Sequence, residues 1–259
     1  MTCPAPDDRK CVIIPSYNSG PLLASTVCAV LEHWSPVIVV LDGSTDGSGA
    51  AVEKLAATRE DLEVLVRAHN GGKGEAVLAA LRLAAARGFT HAAVLDADGQ
   101  HDVSDLPRFM EASDAYPEAM ILGVPLFGED APMERVKGRK IGNWWTNLET
   151  LWGGIGDSLF GFRIYPVDAS LRILEGTRTG RRFDFDTQLA VRLYREGTLP
   201  LNLPTRVHYP KREAGGVTHF RYLRDNLLLI AAHIRLTLGS LVLLPRLIRY
   251  RRRPRLSLP

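Results

Sequence analysis

The sequence is short of cysteine, of aromatic residues and of net charge. Its 259 residues include three cysteines, 7% aromatic residues and a net charge of +3. The cysteines are odd in number and none lies in a CxxC pair, which is typical of reduced thiols in a cytosolic protein rather than of a disulfide framework. The N-terminus has neither the charged region nor the apolar run of a secretory signal, so we expect the chain to stay on the cytosolic side.

The excess positive charge is concentrated at the C-terminal end of the chain. Six arginines supply it: Arg246, Arg249, Arg251, Arg252, Arg253 and Arg255. Without them the chain would be close to neutral, which argues against a strongly basic body that binds nucleic acid. The rest of the composition, with 46% hydrophobic and 24% charged residues, is that of a globular protein.

Short apolar runs recur along the first hundred residues, at 11–15, 37–41, 62–67 and 91–95. They show no polar alternation, and helical patterns of roughly 10–15 residues separate them, which is typical of parallel strands covered on both faces. The sequence therefore predicts an α/β fold with a mostly parallel sheet flanked by helices. Further strands are predicted at 119–124 and 199–207, a helix at 184–195 and a polar loop at 125–134.

Polar clusters follow these strands at 15–18, 42–46, 70–74 and 96–102. Right-handed crossovers bring the loops after parallel strands to one edge of a sheet, and ligands bind at that edge. We therefore expect the four clusters to meet there. Their meeting predicts a ligand site.

Asp96 and Asp98 follow the fourth strand with one residue between them. Two carboxylates at a strand end can hold a hard cation, whose shell a nucleotide diphosphate completes. The alternative is that they cap the following helix. The position on the ligand edge favours the metal.

Other clusters offer binding groups with competing structural roles. Asp42 in its turn suits hydrogen bonds from a base or ribose, and Lys73 lies among glycines at a helix start, where backbone N–H groups attract an anion. Arg163 can pair with a phosphate. Asp186 opens a helix, where capping competes with catalysis.

The chain resembles the family 2 glycosyltransferases, most closely the branch that transfers mannose or glucose to dolichyl or polyprenyl phosphate. Five motifs occur in order over about residues 11–220: Ile14-Pro15-Ser16-Tyr17-Asn18, Asp42-Gly43-Ser44-Thr45-Asp46, Asn70 to Gly74, Asp96-Ala97-Asp98-Gly99-Gln100-His101, and Asp157 to Arg163. Two departures stand out. Leu41 replaces the first of two adjacent aspartates usual in the family, and Phe160 replaces a serine.

The resemblance implies a GT-A fold, a nucleotide-sugar donor such as a UDP- or GDP-sugar, Mg²⁺ or Mn²⁺, and inversion at the anomeric carbon. It places the metal and diphosphate around Asp96, Asp98 and Gln100. The donor-binding residues that it implies are Pro15, Tyr17, Asn18, Asp42, Lys73, Asp96, Ala97 and Asp98. It puts Arg163 near the phosphates. We divide the chain into a tail at 1–10, a GT-A domain at 11–219 and a C-terminal apolar and basic segment at 220–259.

The acceptor decides which further groups are needed. A lipid phosphate is already largely anionic at pH 7 and needs cations, for which Arg135, Lys137, Arg139 and Lys140 are placed in sequence. A hydroxyl acceptor needs a general base, and Asp157 or Asp186 could serve. We favour the lipid phosphate. A non-catalytic membrane adaptor that retains the fold is the alternative from another class, and the retained Asp96, Asp98, Gln100 and Arg163 argue against it.

The stretch at 226–245 is mostly aliphatic but is interrupted by His233 and Arg235. A central arginine costs roughly 2.5–3.5 kcal/mol on insertion scales, which disfavours a spanning helix. The sequence instead predicts a helix lying on an anionic membrane surface on the cytosolic side, aided by the arginines that follow. The alternative is a helix packed on the domain or in a dimer.

Overall fold

The computed structural model describes residues 9–128, 133–208 and 222–257. Within them a seven-stranded sheet is flanked by helices. The strands are β1 (Lys10–Ser16), β2 (Val37–Asp42), β3 (Leu62–Arg67), β4 (His91–Val94), β5 (Met120–Leu126), β6 (Arg163–Pro166) and β7 (Pro200–Arg206). The helices are α1 (Leu22–Leu31), α2 (Gly49–Ala56), α3 (Lys73–Ala86), α4 (Leu106–Ala115), α5 (Met133–Glu149), α6 (Val167–Glu175), α7 (Phe185–Glu196), α8 (Tyr222–Val242) and α9 (Leu244–Arg251).

The strand order is β3-β2-β1-β4-β6-β5-β7, and only β6 runs against its neighbours. The predicted mostly parallel sheet is confirmed. Strand β6 was not predicted, because four residues beginning with an arginine carry no apolar run. The predicted polar loop at 125–134 is shorter than expected: β5 continues through Pro125, α5 begins at Met133, and residues 129–132 lie outside the described residues.

The strands are apolar on both faces because helices cover both. Ile13 and Ile14 are adjacent in β1 and both fully buried, yet they belong to two different apolar clusters. One cluster joins the sheet to α3, α6 and α7, and the other joins it to α1 and α4. Side chains alternate across a strand, so a strand such as β1 supplies both clusters. The absence of polar alternation follows from this.

Helix α8 is apolar on two sides that meet different surroundings. Ala232, His233 and Leu236 are buried against the domain, and the Glu149 carboxylate lies 2.8 Å from the His233 ring. The opposite side leaves a stripe in solvent, the α8 stripe: Leu227, Ile230, Ile234, Leu238 and Leu241. The helix therefore packs on the domain and still presents an apolar face that none of the described residues covers. By length and composition alone, Arg224–Val242 could cross a membrane.

Candidate active site at the strand edge

The loops after β1, β2, β3 and β4 meet at one edge of the sheet. Asp96 and Asp98 lie two and four residues beyond the end of β4, and Lys73 begins α3 after the glycine loop. The Lys73 ammonium reaches across this edge. It lies 2.6 Å from Asp96 Oδ1 and 2.7 Å from Asp186 Oδ2. The structure thus joins the turn after β4, the start of α3 and the start of α7 in one cluster of charges.

The charged side chains of this cluster shift one another's pKa values. Burial works against the charge of Asp96, but Lys73 and the nearby His101 outweigh it and hold the pKa of Asp96 well below its usual range. Burial opposes the Lys73 charge as well, yet Asp186 and Asp96 raise the pKa of that ammonium. Burial, and then the charge of Asp96, raise the pKa of Asp98. The lysine therefore stabilises one carboxylate of the pair while the other is left with an unfavourable charge.

The position of Asp96 depends on a close backbone approach. A Cβ on Gly161 would overlap the Asp96 carboxylate, so only glycine lets the segment before β6 pass so near to it. The sequence motif that ends in Arg163 thereby fixes the wall of the site through its glycine.

Arg163, which the sequence predicts to lie near the phosphates, is held by protein acceptors in this structure. Its side chain is fully buried. The guanidinium donates to the carbonyl oxygens of Phe160, Asp157 and Asp186 and to the Tyr165 hydroxyl, at 2.7–3.1 Å. Three donating nitrogens are occupied by the protein itself. Arg163 therefore positions the two predicted catalytic aspartates through their backbone carbonyls.

Asp157, one of the two predicted general bases, has a buried carboxylate whose acceptor positions are used by the protein. Oδ1 accepts from Arg139 and from the backbone N–H groups of Leu159 and Phe160, at 2.7–2.9 Å, and Oδ2 accepts from Asn143 at 3.2 Å. A carboxylate with four donors is a poor general base. Asp157 anchors Arg139 and the turn before β6. Of the two predicted bases, Asp186 remains.

Asp42 is also buried, and its carboxylate accepts from the protein itself; its contact with a nucleoside stays a prediction. It pairs with Arg67 at 2.6 Å and accepts from the backbone N–H groups of Gly71 and Gly72. These bonds tie the end of β2 to the glycine loop. Gly72 has φ 94° and lies against the backbone of Arg181 and Arg182, so a side chain at this position is excluded twice.

The first loop has the form that a polar turn requires. Pro15 is buried within β1, and Tyr17 is at the surface. Asn18 adopts φ 46°, a region that asparagine tolerates, and its side chain accepts from Thr45 N–H at 2.7 Å. Its own N–H donates to Ser44 at 3.1 Å. The loops after β1 and β2 are thereby joined, as predicted from their shared edge.

The four predicted acceptor cations do not behave alike. Arg139 is half-buried, pairs with Asp157 at 2.8 Å and lies over the rings of Phe127 and Phe160. Lys137 and Lys140 are exposed on α5. The side chain of Arg135 lies outside what the structure describes. Only Arg139 is therefore placed in the wall of the site.

His101 is a site residue that the sequence prediction left out, although it closes the motif that begins at Asp96. Its ring is buried edge-on against Phe160, with Nε2 3.5 Å from Asp96 Oδ2. Among the described residues neither ring nitrogen has a hydrogen-bond partner, and Asp186 Oδ1 has none either. Ala97 is buried in the same turn, and the Gln100 N–H donates to Asp98 at 3.1 Å.

The donor atoms around Asp96 fit a hard divalent cation in kind. Carboxylate oxygens of Asp96 and Asp98 and the orphaned Oδ1 of Asp186 are the ligands that Mg²⁺ and Mn²⁺ prefer. Across the parts of the chain that the structure describes, however, no three His, Cys, Asp or Glu side chains are drawn together closely enough to hold a metal. Oxygen ligands for a metal are therefore present, and the Lys73 ammonium lies between the carboxylates of Asp96 and Asp186.

A mostly parallel sheet with carboxylates and a glycine loop gathered at its edge defines a glycosyltransferase with the GT-A fold. The chain belongs to glycosyl transferase family 2, whose family model matches residues 11–172.

Comparison with known proteins agrees with this. Polyprenol monophosphomannose synthase of Mycolicibacterium smegmatis is 30% identical over 217 residues, 81% of this chain and 80% of the relative. Undecaprenyl-phosphate mannosyltransferase of Micrococcus luteus is 30% identical over 221 residues, 80% of this chain and 86% of the relative. The mannosyltransferase PcManGT of Pyrobaculum calidifontis, solved with GDP-Man and Mn²⁺, shares the fold, with a TM-score of 0.57 at 21% identity over 93% of this chain and 73% of its own.

Proposed function

We propose that this glycosyltransferase is an inverting, metal-dependent enzyme that moves a sugar, most simply mannose, from a nucleotide-sugar to a polyprenyl phosphate. The observation that carries the proposal is the cluster of Asp96, Asp98 and Asp186 at the ligand edge, beside a basic helix α5. Both relatives at 30% identity are named for polyprenyl-linked mannose transfer, which supports the acceptor and the sugar.

The reaction needs positive charge beside the departing diphosphate. In an inverting transfer the acceptor oxygen attacks the anomeric carbon opposite the departing nucleotide, through an oxocarbenium-like transition state. A divalent cation held by Asp96 and Asp98 would offset the charge that develops on the diphosphate. Lys73 is the protein's own cation at the same place, and once it leaves Asp96 it can pair with a diphosphate oxygen.

The acceptor side of the site is built around Arg139. Its guanidinium lies over the rings of Phe127 and Phe160 and pairs with Asp157, so the charge is fixed in direction before a ligand arrives. Lys137 and Lys140 add charge on the exposed part of α5. A phosphate acceptor needs no base, which agrees with Asp157 being saturated. A hydroxyl acceptor would rely on Asp186, whose Oδ1 is unpartnered among the described residues.

A nucleotide panel tests the donor. We expect one of UDP-glucose, GDP-mannose and dTDP-glucose to raise the melting temperature in the presence of Mn²⁺, because a ligand that binds only the folded state stabilises it. The same nucleotide-sugar should be transferred to undecaprenyl phosphate, followed by a radiolabelled sugar. Stabilisation by none of the three, with no transfer, would favour a non-catalytic adaptor.

We also propose that the protein lies on the cytosolic surface of an anionic membrane through the α8 stripe and the arginines after it. The stripe is an apolar face with no partner in the described structure, and α9 continues it with Ile248 among Arg246, Arg249 and Arg251. Apolar side chains followed by arginines match the division between acyl chains and anionic headgroups. Residues 220–259 would then be the membrane-contacting segment.

Charge replacement is the sharpest test of that contact. Deleting the tail from residue 246 would also remove Leu247, which is fully buried, so we choose Arg249, Arg251 and Arg252 changed to Gln. At about 1 kcal/mol for each arginine, we expect binding to vesicles of phosphatidylglycerol and phosphatidylcholine to weaken on the order of 100-fold. Sedimentation with the vesicles measures it.

A second variant separates apolar contact from charge. Changing Ile230, Ile234 and Leu238 to Ser should weaken the same binding, while Val66→Ser, an exposed apolar residue on the far strand β3, should leave it as it was. Unchanged sedimentation of the α8 variant would disprove the membrane contact.

A further inference from the structure

The Lys73 ammonium occupies the place between carboxylates where a metal would bind. It lies 2.6 Å from Asp96 and 2.7 Å from Asp186, distances at which an ammonium hydrogen is shared with each carboxylate. Asp96 is one of the two carboxylates that this turn offers to a metal. Lys73 holds its Oδ1 and the His101 ring lies 3.5 Å from its Oδ2, so a divalent cation that approaches Asp96 is repelled by the ammonium and competes with it for the carboxylate.

The rest of the cluster is arranged around the lysine. Asp98 Oδ1 accepts from the N–H of Gln100, and no metal-holding group of three side chains exists among the described residues. Within the same part of the chain, the buried Asp186 Oδ1 has no hydrogen-bond partner. These side chains therefore have a closed arrangement, held by a lysine, in which the metal site is not assembled.

A nucleotide diphosphate affects both the metal and Lys73. Its oxygens provide ligands that the protein lacks, and they also offer Lys73 another anionic partner. Lys73 begins α3 at the mouth of the glycine loop, so it can turn from Asp96 toward an anion at that helix start while its backbone stays in place.

We propose that Lys73 gates metal binding: it blocks Asp96 in the donor-free enzyme and releases it to the metal when the donor diphosphate arrives. The inference rests on the proposed function for the identity of the diphosphate. Metal and nucleotide then bind cooperatively, and by linkage each raises the affinity for the other by the same factor. Lys73 acts as a positioning residue in this scheme, since it sets which cation Asp96 meets.

Mn²⁺ affinity tests the gate without any turnover. Free Mn²⁺ is measured by electron paramagnetic resonance in titrations of the unmutated protein, Lys73→Met and Lys73→Gln, each without nucleotide and with UDP or GDP. We expect both variants to bind Mn²⁺ at least about tenfold more tightly than the unmutated protein when no nucleotide is present, the size of an ordinary allosteric coupling. Nucleotide should raise Mn²⁺ affinity strongly in the unmutated protein and much less in the variants.

Lys54→Met is the matched control. Lys54 is exposed on α2 and remote from the cluster. The Lys54→Met substitution therefore removes the same charge and leaves the contact between Lys73 and Asp96 intact. Lys73→Gln keeps a donor for Asp96 and Asp186, and circular dichroism shows that each variant is folded. Equal Mn²⁺ affinity of the Lys73 variants and the unmutated protein without nucleotide would overturn the gate.

The outcomes separate this inference from the proposed function. If no nucleotide binds to any of the proteins, the proposed function fails, while the metal-only titrations still decide the gate. If nucleotide binds and Mn²⁺ affinity is the same with and without Lys73, the gate fails and the glycosyltransferase proposal stands.

Discussion

Replacing Asp98 with Asn is expected to lower sugar transfer by at least about 10³-fold while the protein remains folded. The carboxylate charge that faces the metal and diphosphate is lost, and removing one stabilising group from such a site costs about 10²–10³-fold by itself. Asn keeps an oxygen that can accept from the Gln100 N–H, so the turn after β4 should survive. Initial rates with the donor that the nucleotide panel identifies measure the effect.

Asp102→Asn provides the control for that experiment. Asp102 lies four residues further along and caps a short helical turn by accepting from Ser104, so the same charge is removed outside the Lys73 cluster. We expect its transfer rate to stay close to that of the unmutated enzyme. An Asp98→Asn enzyme within about tenfold of normal would remove the metal from the proposed mechanism.

Arg163→Met is expected to cause the largest loss of stability. Its guanidinium is fully buried and donates to four oxygens, three of them backbone carbonyls around Asp157 and Asp186. Methionine fills part of the volume and supplies no donor, so those acceptors stay buried and unsatisfied. We expect the free energy of unfolding to fall by about 3–5 kcal/mol, because each buried acceptor that is left without a donor costs about 1–3 kcal/mol. Urea unfolding measures it.

Arg108→Met shows what an ordinary arginine contributes. Arg108 also donates to a carbonyl, that of Pro204, and pairs with Asp105, but its side chain is 39% exposed. Its loss should cost less than about 1 kcal/mol because water can replace it. Similar losses for the two variants would show that burial of Arg163 carries no special weight.

The sheet and its ligand edge were predictable because they depend on local patterns. Apolar runs such as 37–41 need only their own residues to show that both faces are covered, and the polar turns follow them directly. The loop from Asn70 to Gly74 could be assigned to the edge on the same grounds. Strand β6 could not, because its pairing with β4 and β5 depends on residues about 70 and 40 positions away.

The chemistry of individual charged residues was less predictable than their position. Arg163, Asp157 and Asp42 all lie at the edge, as expected, but each is saturated by the protein. Sequence shows which charges come near one another and not which of them neutralise each other. The contact of Lys73 with Asp186 joins residues 113 positions apart, which no motif records. His101 could have been found, because it ends the motif that begins at Asp96.

The reversed direction of β6 has an evolutionary consequence. Strand β5 ends at the ligand edge and β6 begins there, since Arg163 pairs with Val94 at the end of β4. The segment that joins β5 to β6 contains α5 with Arg139. It leaves the sheet at the ligand edge and returns to the sheet at the same edge. Lengthening or exchanging this excursion does not require any strand to change its neighbours. Related enzymes can therefore evolve a different substrate range through changes confined to the segment between β5 and β6.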